Sequence, residues 1–415
     1  MKTNNNKGVC DTPQTDTPPQ GYKNSPLGII PEDWEVKRLG EICEIDSRSL
    51  SSQTNPDYEF NYISLSDVNN ETFEIVTTKQ KFSTAPSRAR RIVKKGDVII
   101  STVRPNLQGF MQIKNNVENL IVSTGFSVLS PQKCNSDFLY LYVFSQAVTK
   151  QFYQLVVGSN YPAVNSSDVV NLKIPLPPLP EQQKIAAILS IWDEAIEKQT
   201  AIIEKLTLRK KGLMQQVFNE QWIMDNGKLQ EVKLRDVAKV IMGQSPDSNY
   251  YNENKEGLPL IQGNADINNR KTIQRIWTTQ FPKVCNADDI IMTVRAPVGF
   301  IGMASEYSCL GRGVCALQPY NIDKSYFYQL MLYNESKWKS IEQGGIFSAV
   351  GSEDIIHYPL SIIHSLEKQT DIAAVLTTAD SEINLAKQKL DSLRQQKKGL
   401  MQVLLTGEKR VKINN

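Results

Sequence analysis

Lys210-Lys211-Gly212-Leu213-Met214-Gln215 and Lys397-Lys398-Gly399-Leu400-Met401-Gln402 are the same six residues at an offset of 187 (397 against 210). Ile185-Ala186-Ala187-Ile188-Leu189 returns in that register as Ile372-Ala373-Ala374-Val375-Leu376. Two matches at one offset mark an internal duplication, and a repeat decides architecture before any other signal. Between the matched blocks runs a 3-4 spacing of Leu189, Trp192, Ile196, Gln199, Ile203, Leu206, Lys210, Leu213 and Val217. The second copy repeats it as Leu376, Ala379, Ile383, Ala386, Leu390, Leu393, Lys397, Leu400 and Leu404. That spacing is a coiled-coil seam, with Glu, Lys and Arg on the other faces. An amphipathic helix packed on its own domain gives a similar stripe, but about 37 residues at 1.5 Å rise make a rod of about 55 Å, longer than such a domain is wide. The first rod therefore leads away from one globular half, and a second rod packing its matching seam on the first must run back. The expected fold is α+β, with two pseudo-repeated globular domains separated by two long helices that form an antiparallel coiled coil.

The globular halves repeat more loosely. Glu35-Val36-Lys37-Arg38-Leu39 matches Glu231-Val232-Lys233-Leu234, and Asp97 to Arg104 aligns with Asp288 to Arg295, which puts Arg104 and Arg295 at one position. Thr124-Gly125 to Leu129 aligns with Arg312-Gly313 to Leu317. Short β-branched runs such as Tyr62 to Leu65 alternate with turn signals such as Lys95-Gly96-Asp97, and helical stretches over Ser136 to Leu155 and Lys324 to Lys339 follow the strands. A length of 415 residues fits two or three domains at about 150 residues each, and 40% hydrophobic with 22% charged residues supports real cores. Residues 1–24, rich in Asn, Thr, Gln and Pro, have little to bury and read as a flexible arm. Apolar stretches such as Ile185 to Trp192 are far too short to cross a bilayer, and the N-terminus has no apolar signal region. Six widely spaced cysteines without a C-x-x-C pair indicate neither a zinc ribbon nor a disulfide framework, so a cytoplasmic location is the simpler reading.

At the entry to the first rod stands Pro175-Leu176-Pro177-Pro178-Leu179-Pro180-Glu181-Gln182-Gln183-Lys184-Ile185-Ala186. It resembles the junction at which a target-recognition domain of type I restriction-modification specificity subunits passes into its conserved helix. Ser25-Pro26-Leu27-Gly28-Ile29-Ile30-Pro31-Glu32-Asp33-Trp34-Glu35-Val36 and Val122-Ser123-Thr124-Gly125-Phe126 are similar to that family too, so the resemblance runs from about residue 25 to the end. It implies target-recognition domains at 25–180 and 229–366, spacer helices at 181–219 and 367–406, and a basic tail at 407–415. It further implies a non-catalytic subunit that reads two unlike half-sites of double-stranded DNA, with two methylation subunits docked on the helical pair and two restriction (motor-nuclease) subunits joining them. S-adenosylmethionine, ATP and Mg would then belong to those partners, with no cofactor on this chain. The second junction, Tyr358 to Glu367, lacks the proline ladder and keeps only Glu367-Lys368-Gln369; it reads as a divergent copy or as an impaired docking point.

A net charge of +3 only permits nucleic-acid binding, because local patches do the work. Candidate DNA contacts are Arg88, Arg90, Arg91, Arg104, Lys94 and Lys95 in the first half, and Arg295, Arg312, Lys337 and Lys339 in the second. Such side chains neutralise phosphates, and Arg can pair bidentately with guanine. Arg104 and Arg295, each close to a proline, fit DNA contact and turn capping equally well. Enzymatic signals are poor: Asn55-Pro56-Asp57-Tyr58 lacks the second proline of an amino-methyltransferase motif, Pro246-Asp247 with Glu253-Asn254-Lys255 is turn-like, and no G-x-x-x-x-G-K-[ST] loop exists. His357 and His364 have no ligand-spaced neighbours. A self-contained nuclease or methyltransferase thus lacks its constellation, while a scaffold that never touches DNA remains the rival to a DNA-specificity subunit.

Overall fold

The computed structural model describes residues 18–68, 76–155, 163–219, 223–225, 228–343 and 349–413. The chain divides into two compact units, Met1–Lys198 with Asp391–Asn415, and Gln199–Leu390.

In the first unit a four-stranded sheet has the order Thr78–Lys81, Glu59–Ile63, Leu120–Ser123, Ala89–Ile92, with its central pair parallel. A second, antiparallel sheet runs Cys43–Ile45, Phe126–Pro131, Val98–Ser101, Phe110–Gln112. All four residues of Val98–Ser101 are buried, which explains why this strand reads as an unbroken apolar run rather than an alternation. The helical stretch expected over Ser136 to Leu155 is two helices, Ser136–Val143 and Gln146–Leu155. Tyr22–Ser25 forms a hairpin with Gly28–Pro31, so the arm expected over 1–24 runs into a strand at its end; residues 1–17 lie outside those described.

The second unit enlarges this plan. Its six-stranded sheet orders Ala238–Met242, Val314–Pro319, Ile290–Thr293, Ile301–Met303, Lys271–Thr272 and Ile267–Asn268. Its five-stranded sheet orders Tyr251–Asn252, Trp277–Thr278, Leu258–Ile261, Ser308–Leu310 and Val284–Cys285. Lys324–Gln343 is helical.

Each unit hands over to a long helix in the same way. Lys173–Leu176 pairs antiparallel with Glu35–Arg38, and Pro359–Ile363 pairs antiparallel with Leu229–Lys233. The helices Leu179–Val217 and Leu366–Leu405 follow, of 39 and 40 residues. Pro180 falls in the first turn of its helix, where a missing N–H costs nothing. Gln182, buried, donates to Pro177 O at 2.7 Å and accepts from Asn135 N at 2.8 Å. Gln369 does the same between Ile363 O at 2.7 Å and Asp323 N at 2.8 Å, so the second junction keeps the clamp although it lost the prolines.

The repeated Ile-Ala-Ala motif roots each helix in its own core. Ile185, Ala186 and Leu189 join Trp34, Phe138 and Tyr142 together with Leu404 and Leu405 from the second helix. Ile372, Ala373 and Leu376 join Tyr326, Phe327 and Trp338, with Leu213, Met214 and Val217 packed against them. Within each unit the two helices are antiparallel and joined by a lysine–aspartate ion pair that recurs at one sequence offset. Lys210 Nζ reaches Asp380 Oδ1 at 2.6 Å and Oδ2 at 2.8 Å, and the offset-equivalent Lys397 reaches Asp193. Seam position Gln199 donates to Ala386 O at 3.0 Å. In the first unit fully buried Glu181 accepts from Trp34 Nε1 at 2.9 Å and from Arg410 Nε and Nη2 at 2.7 and 2.8 Å, while Arg410 also grips Asp33 through two bonds of 2.8 Å.

Two consequences follow for stability. Lys210→Ala, which leaves Asp380 half-buried and short of a partner, lowers unfolding free energy by about 3 kcal/mol, whereas Lys210→Met combined with Asp380→Leu recovers most of the loss in urea titrations. Arg410→Ala, which strands the buried Glu181 carboxylate, costs about 3 kcal/mol by the same reasoning. Because Arg410 holds the Asp33 carboxyl below its ordinary value of 3.8, that part of the stability is complete above this pH and is lost as pH falls through the lower folded value. Acid titration of the Arg410→Ala variant should therefore lack this component.

Candidate nucleic-acid interface

In the second unit the parallel strands Leu258–Ile261 and Ser308–Leu310 pair Ile261 with Leu310, and both chains then turn at one end of the sheet. Four backbone segments meet there. Gly243 N donates to Val314 O at 3.0 Å, Gln244 N to Leu310 O at 2.9 Å, Gly311 N to Ile261 O at 2.8 Å and Val294 N to Gly313 O at 2.9 Å. Glycine is required at this crossing, because a Cβ on Gly243 would stand 2.1 Å from Gly311 O and one on Gly313 would stand 2.1 Å from Gln262 O. Asp266 fixes the adjoining turn by accepting from Gln262 N at 2.7 Å and Gly263 N at 3.2 Å. Beside this crossing opens a cleft of about 490 Å³ lined by Ser245, Pro246, Ser248, Tyr251, Gln262, Arg295, Arg312 and Gly313. Among the described residues no carboxylate lines it, and Arg295 and Arg312 are exposed.

The equivalent place in the first unit is built differently. Val122 pairs with Ile63 as Leu310 pairs with Ile261, so Thr124 takes the position of Arg312 and Gly125 that of Gly313. Leu65 packs over Gly125, its Cδ1 2.7 Å from where a Cβ would be. Arg88 lies beside this end, accepting from Thr124 N at 2.8 Å through its carbonyl, and is exposed. A polar pocket of about 530 Å³ does exist in this unit, but its lining includes Glu59, Asn61, Glu118 and Asn119 at the opposite end of the same strands. Two carboxylates beside Lys79 and Lys81 make it a poor place for an anion.

The structure corrects two sequence expectations. Arg91 is not an exposed surface cation: it pairs with Asp46, donates to Ser166 Oγ at 3.2 Å and is buried enough to depress its pKa. Arg104 and Arg295 are not equivalent. Asp97 accepts from Lys94 N at 2.7 Å and Asp289 from Asn286 N at 2.8 Å, so Asp289 is the counterpart of Asp97, and Asp288, at φ +63°, is the counterpart of Gly96, at φ +91°. The register moves by one residue. Val103 bridges Ala163 as Arg295 bridges Ala349, and Ala296 matches Arg104. Arg104 instead has φ +50° and starts the 3-10 turn Pro105–Leu107.

Of the remaining candidates, Arg90 donates to Ala89 O at 2.8 Å and lies 4.8 Å over the Phe82 ring, Lys94 and Lys95 are exposed on a turn, and Lys337 sits 5.5 Å over Tyr333. Lys339 is on the helix Lys324–Gln343, with its side chain outside the described residues. Sequence reasoning passed over Ser245, Ser248, Tyr251 and Gln262, which carry no charge and no motif. The suspected enzymatic fragments are turns: Asn55 Oδ1 accepts from Asp57 N at 2.9 Å, and Asp247 caps Ser248–Tyr250 by accepting from Asn249 N at 2.9 Å. Among the described residues no group of three His, Cys, Asp or Glu side chains could hold a metal, and no helix is long and apolar enough to cross a membrane.

Of the helix seam residues, Leu189, Ile196, Leu376, Ile383, Leu390 and Leu404 are buried and Trp192, Ile203, Leu206, Leu213, Val217, Leu393 and Leu400 half-buried.

Comparison with known proteins fits this duplicated plan. The family model for the type I restriction modification DNA specificity domain matches twice, over residues 31–208 and 226–395. A Methanocaldococcus jannaschii protein named as the specificity subunit of type I restriction enzyme MjaX is 30% identical, over 95% of this chain and 97% of its own length. The MjaVIII specificity subunit of the same organism is 25% identical over 92% and 94%. A solved chain from work on complex assembly and conformational transition of the type I R-M system superposes with a TM-score of 0.65 at 27% identity, covering 92% of this chain and 99% of that one. A solved S subunit of a type I restriction-modification system from M. genitalium shares the fold at a TM-score of 0.55 and 16% identity, over 92% and 97%. With both copies matched and each rooted in its own recurring helix, the chain belongs to the type I restriction-modification DNA specificity family, as a specificity subunit with two target-recognition domains.

Proposed function

We propose that this subunit directs its complex to a bipartite, asymmetric DNA target, with one target-recognition domain for each half-site and an unread gap of fixed length between the halves. The carrying observation is that the two units share their strand-to-helix junctions and ion-paired seams but differ where their central parallel strands end, at Thr124 and Leu65 in one and Arg312 and Gly263 in the other. Shared parts suit a common partner and unlike parts suit unlike sequences. Phosphate contact then falls to exposed cations such as Arg88 and Arg104, with the neighbouring loops reading bases. In this reading two methylation subunits dock on the long helices and two restriction subunits join them. S-adenosylmethionine, ATP and Mg serve those partners, this chain holds no cofactor, and the complex works in the cytoplasm.

Methylome sequencing of cells that express the chain with its companion methylation subunit should reveal a modified motif of two unlike halves, absent when only this chain is omitted. An unchanged methylome from a soluble, assembled complex would refute the reading. On a duplex carrying that motif the affinity should fall log-linearly with salt, by a slope of about 0.9 per neutralised phosphate, and Arg88→Ala should flatten that slope by about one. A salt-independent association would instead favour a protein scaffold.

A further inference from the structure

We infer that the cleft of the second unit grips DNA at one half-site only, with Arg295 and Arg312 as a paired donor set for an acceptor-rich edge of the duplex. This rests on the reading above and goes beyond it in naming the site, its chemistry and its restriction to one unit. The lining supplies donors almost throughout. Each guanidinium offers five N–H groups, Gln262 an amide, and Ser245 and Ser248 hydroxyls. Ser245 Oγ accepts from Arg312 N at 3.2 Å, which leaves its own proton to point elsewhere, and Tyr251 donates its hydroxyl to Pro246 O at 3.2 Å. With no carboxylate among the described lining residues and two exposed arginines there, an anionic or acceptor-rich ligand is favoured.

The cleft is a constructed feature and not a chance gap between surface side chains. Gly313 lines it and belongs to a backbone crossing with Gly243, where a backbone oxygen stands 2.1 Å from the place of each Cβ, and the chain turns of its walls are held by Asp266 and by Asp247. At about 490 Å³ it is much larger than a lone ion needs and suits part of a nucleotide. Two acceptor sets in a duplex match such forked donors: O6 and N7 of guanine in the major groove, and the paired oxygens of a backbone phosphate. The first unit cannot reproduce the grip. Thr124 replaces Arg312, Val103 replaces Arg295, and Leu65 packs over Gly125, the counterpart of Gly313.

The test uses the full chain in complex with its methylation subunit, as wild type, Arg295→Ala, Arg312→Ala and Arg312→Lys, with Lys79→Ala in the opposite polar pocket of the first unit as a control. Duplex affinity across a salt series and the cellular methylome are read for each. Both alanine variants should bind about 10- to 100-fold more weakly while Lys79→Ala stays near wild type. If guanine is the ligand, the methylated motif relaxes at a G·C pair of one half-site and Arg312→Lys fails to restore it. If phosphate is the ligand, the motif is unchanged, the salt slope drops by about one per arginine and Arg312→Lys recovers much of the affinity. A wild-type motif with both alanine variants indistinguishable from wild type in affinity, slope and motif overturns this inference alone. A wild-type complex that methylates no motif overturns the underlying reading together with it.

Discussion

Lysine inside a helix seam is costly unless a carboxylate meets it, and this chain places one there twice. Lys210 with Asp380 and Lys397 with Asp193 are the same pair at one sequence offset, each inside its own unit. An apolar seam with 3-4 spacing tolerates slippage by a heptad, since one leucine packs much like another. A buried ammonium with a single partner does not, because a slipped register would strand both charges. Gln199, bonded to Ala386 O, adds a second polar check at another seam position. The alignment of the two helices, and with it the place where each Ile-Ala-Ala motif enters its domain, depends on these few contacts.

What could be read from the sequence was what repeats. The seam, the helix lengths and the duplicated architecture were all visible in identical residues at one offset. The same signal failed where the copies drifted. Arg104 and Arg295 look equivalent as letters, yet Asp288 takes up the left-handed turn position that Gly96 holds in the first copy and moves the register by one. Arg91 carries the charge of a DNA contact, but its partner Asp46 is 45 residues away in sequence (91 against 46), and only the fold brings them together. The neutral walls of the second unit's cleft left no trace in composition, because serine, glutamine and tyrosine acquire meaning there only through position.

The two units differ in the size of their sheets and at one end of their central parallel strands. Junctions keep the Gln182 and Gln369 clamps even where the proline ladder is gone, so the helix entry is held by one amide and its two backbone partners in both copies. The strand ends, by contrast, exchange Thr124 and Leu65 for Arg312 and Gly263 on an otherwise common frame. Three of these four residues, Thr124, Arg312 and Gly263, lie outside the cores, and Leu65 packs on the edge of one.

The Glu181 knot has a consequence for how the chain is made. Arg410 and Leu405, late in the sequence, complete a core whose other members, Trp34 and Glu181, leave the ribosome long before them. The second unit is contiguous, from Gln199 to Leu390, and has all its residues first. Synthesis therefore reverses the usual order in which the N-terminal domain is finished first. Until the last helix emerges, Glu181 has no arginine, and the apolar face of Ile185 and Leu189 has no Leu404 to cover it. A chain cut short before residue 391 therefore holds every residue of the second unit and lacks the last segment of the first.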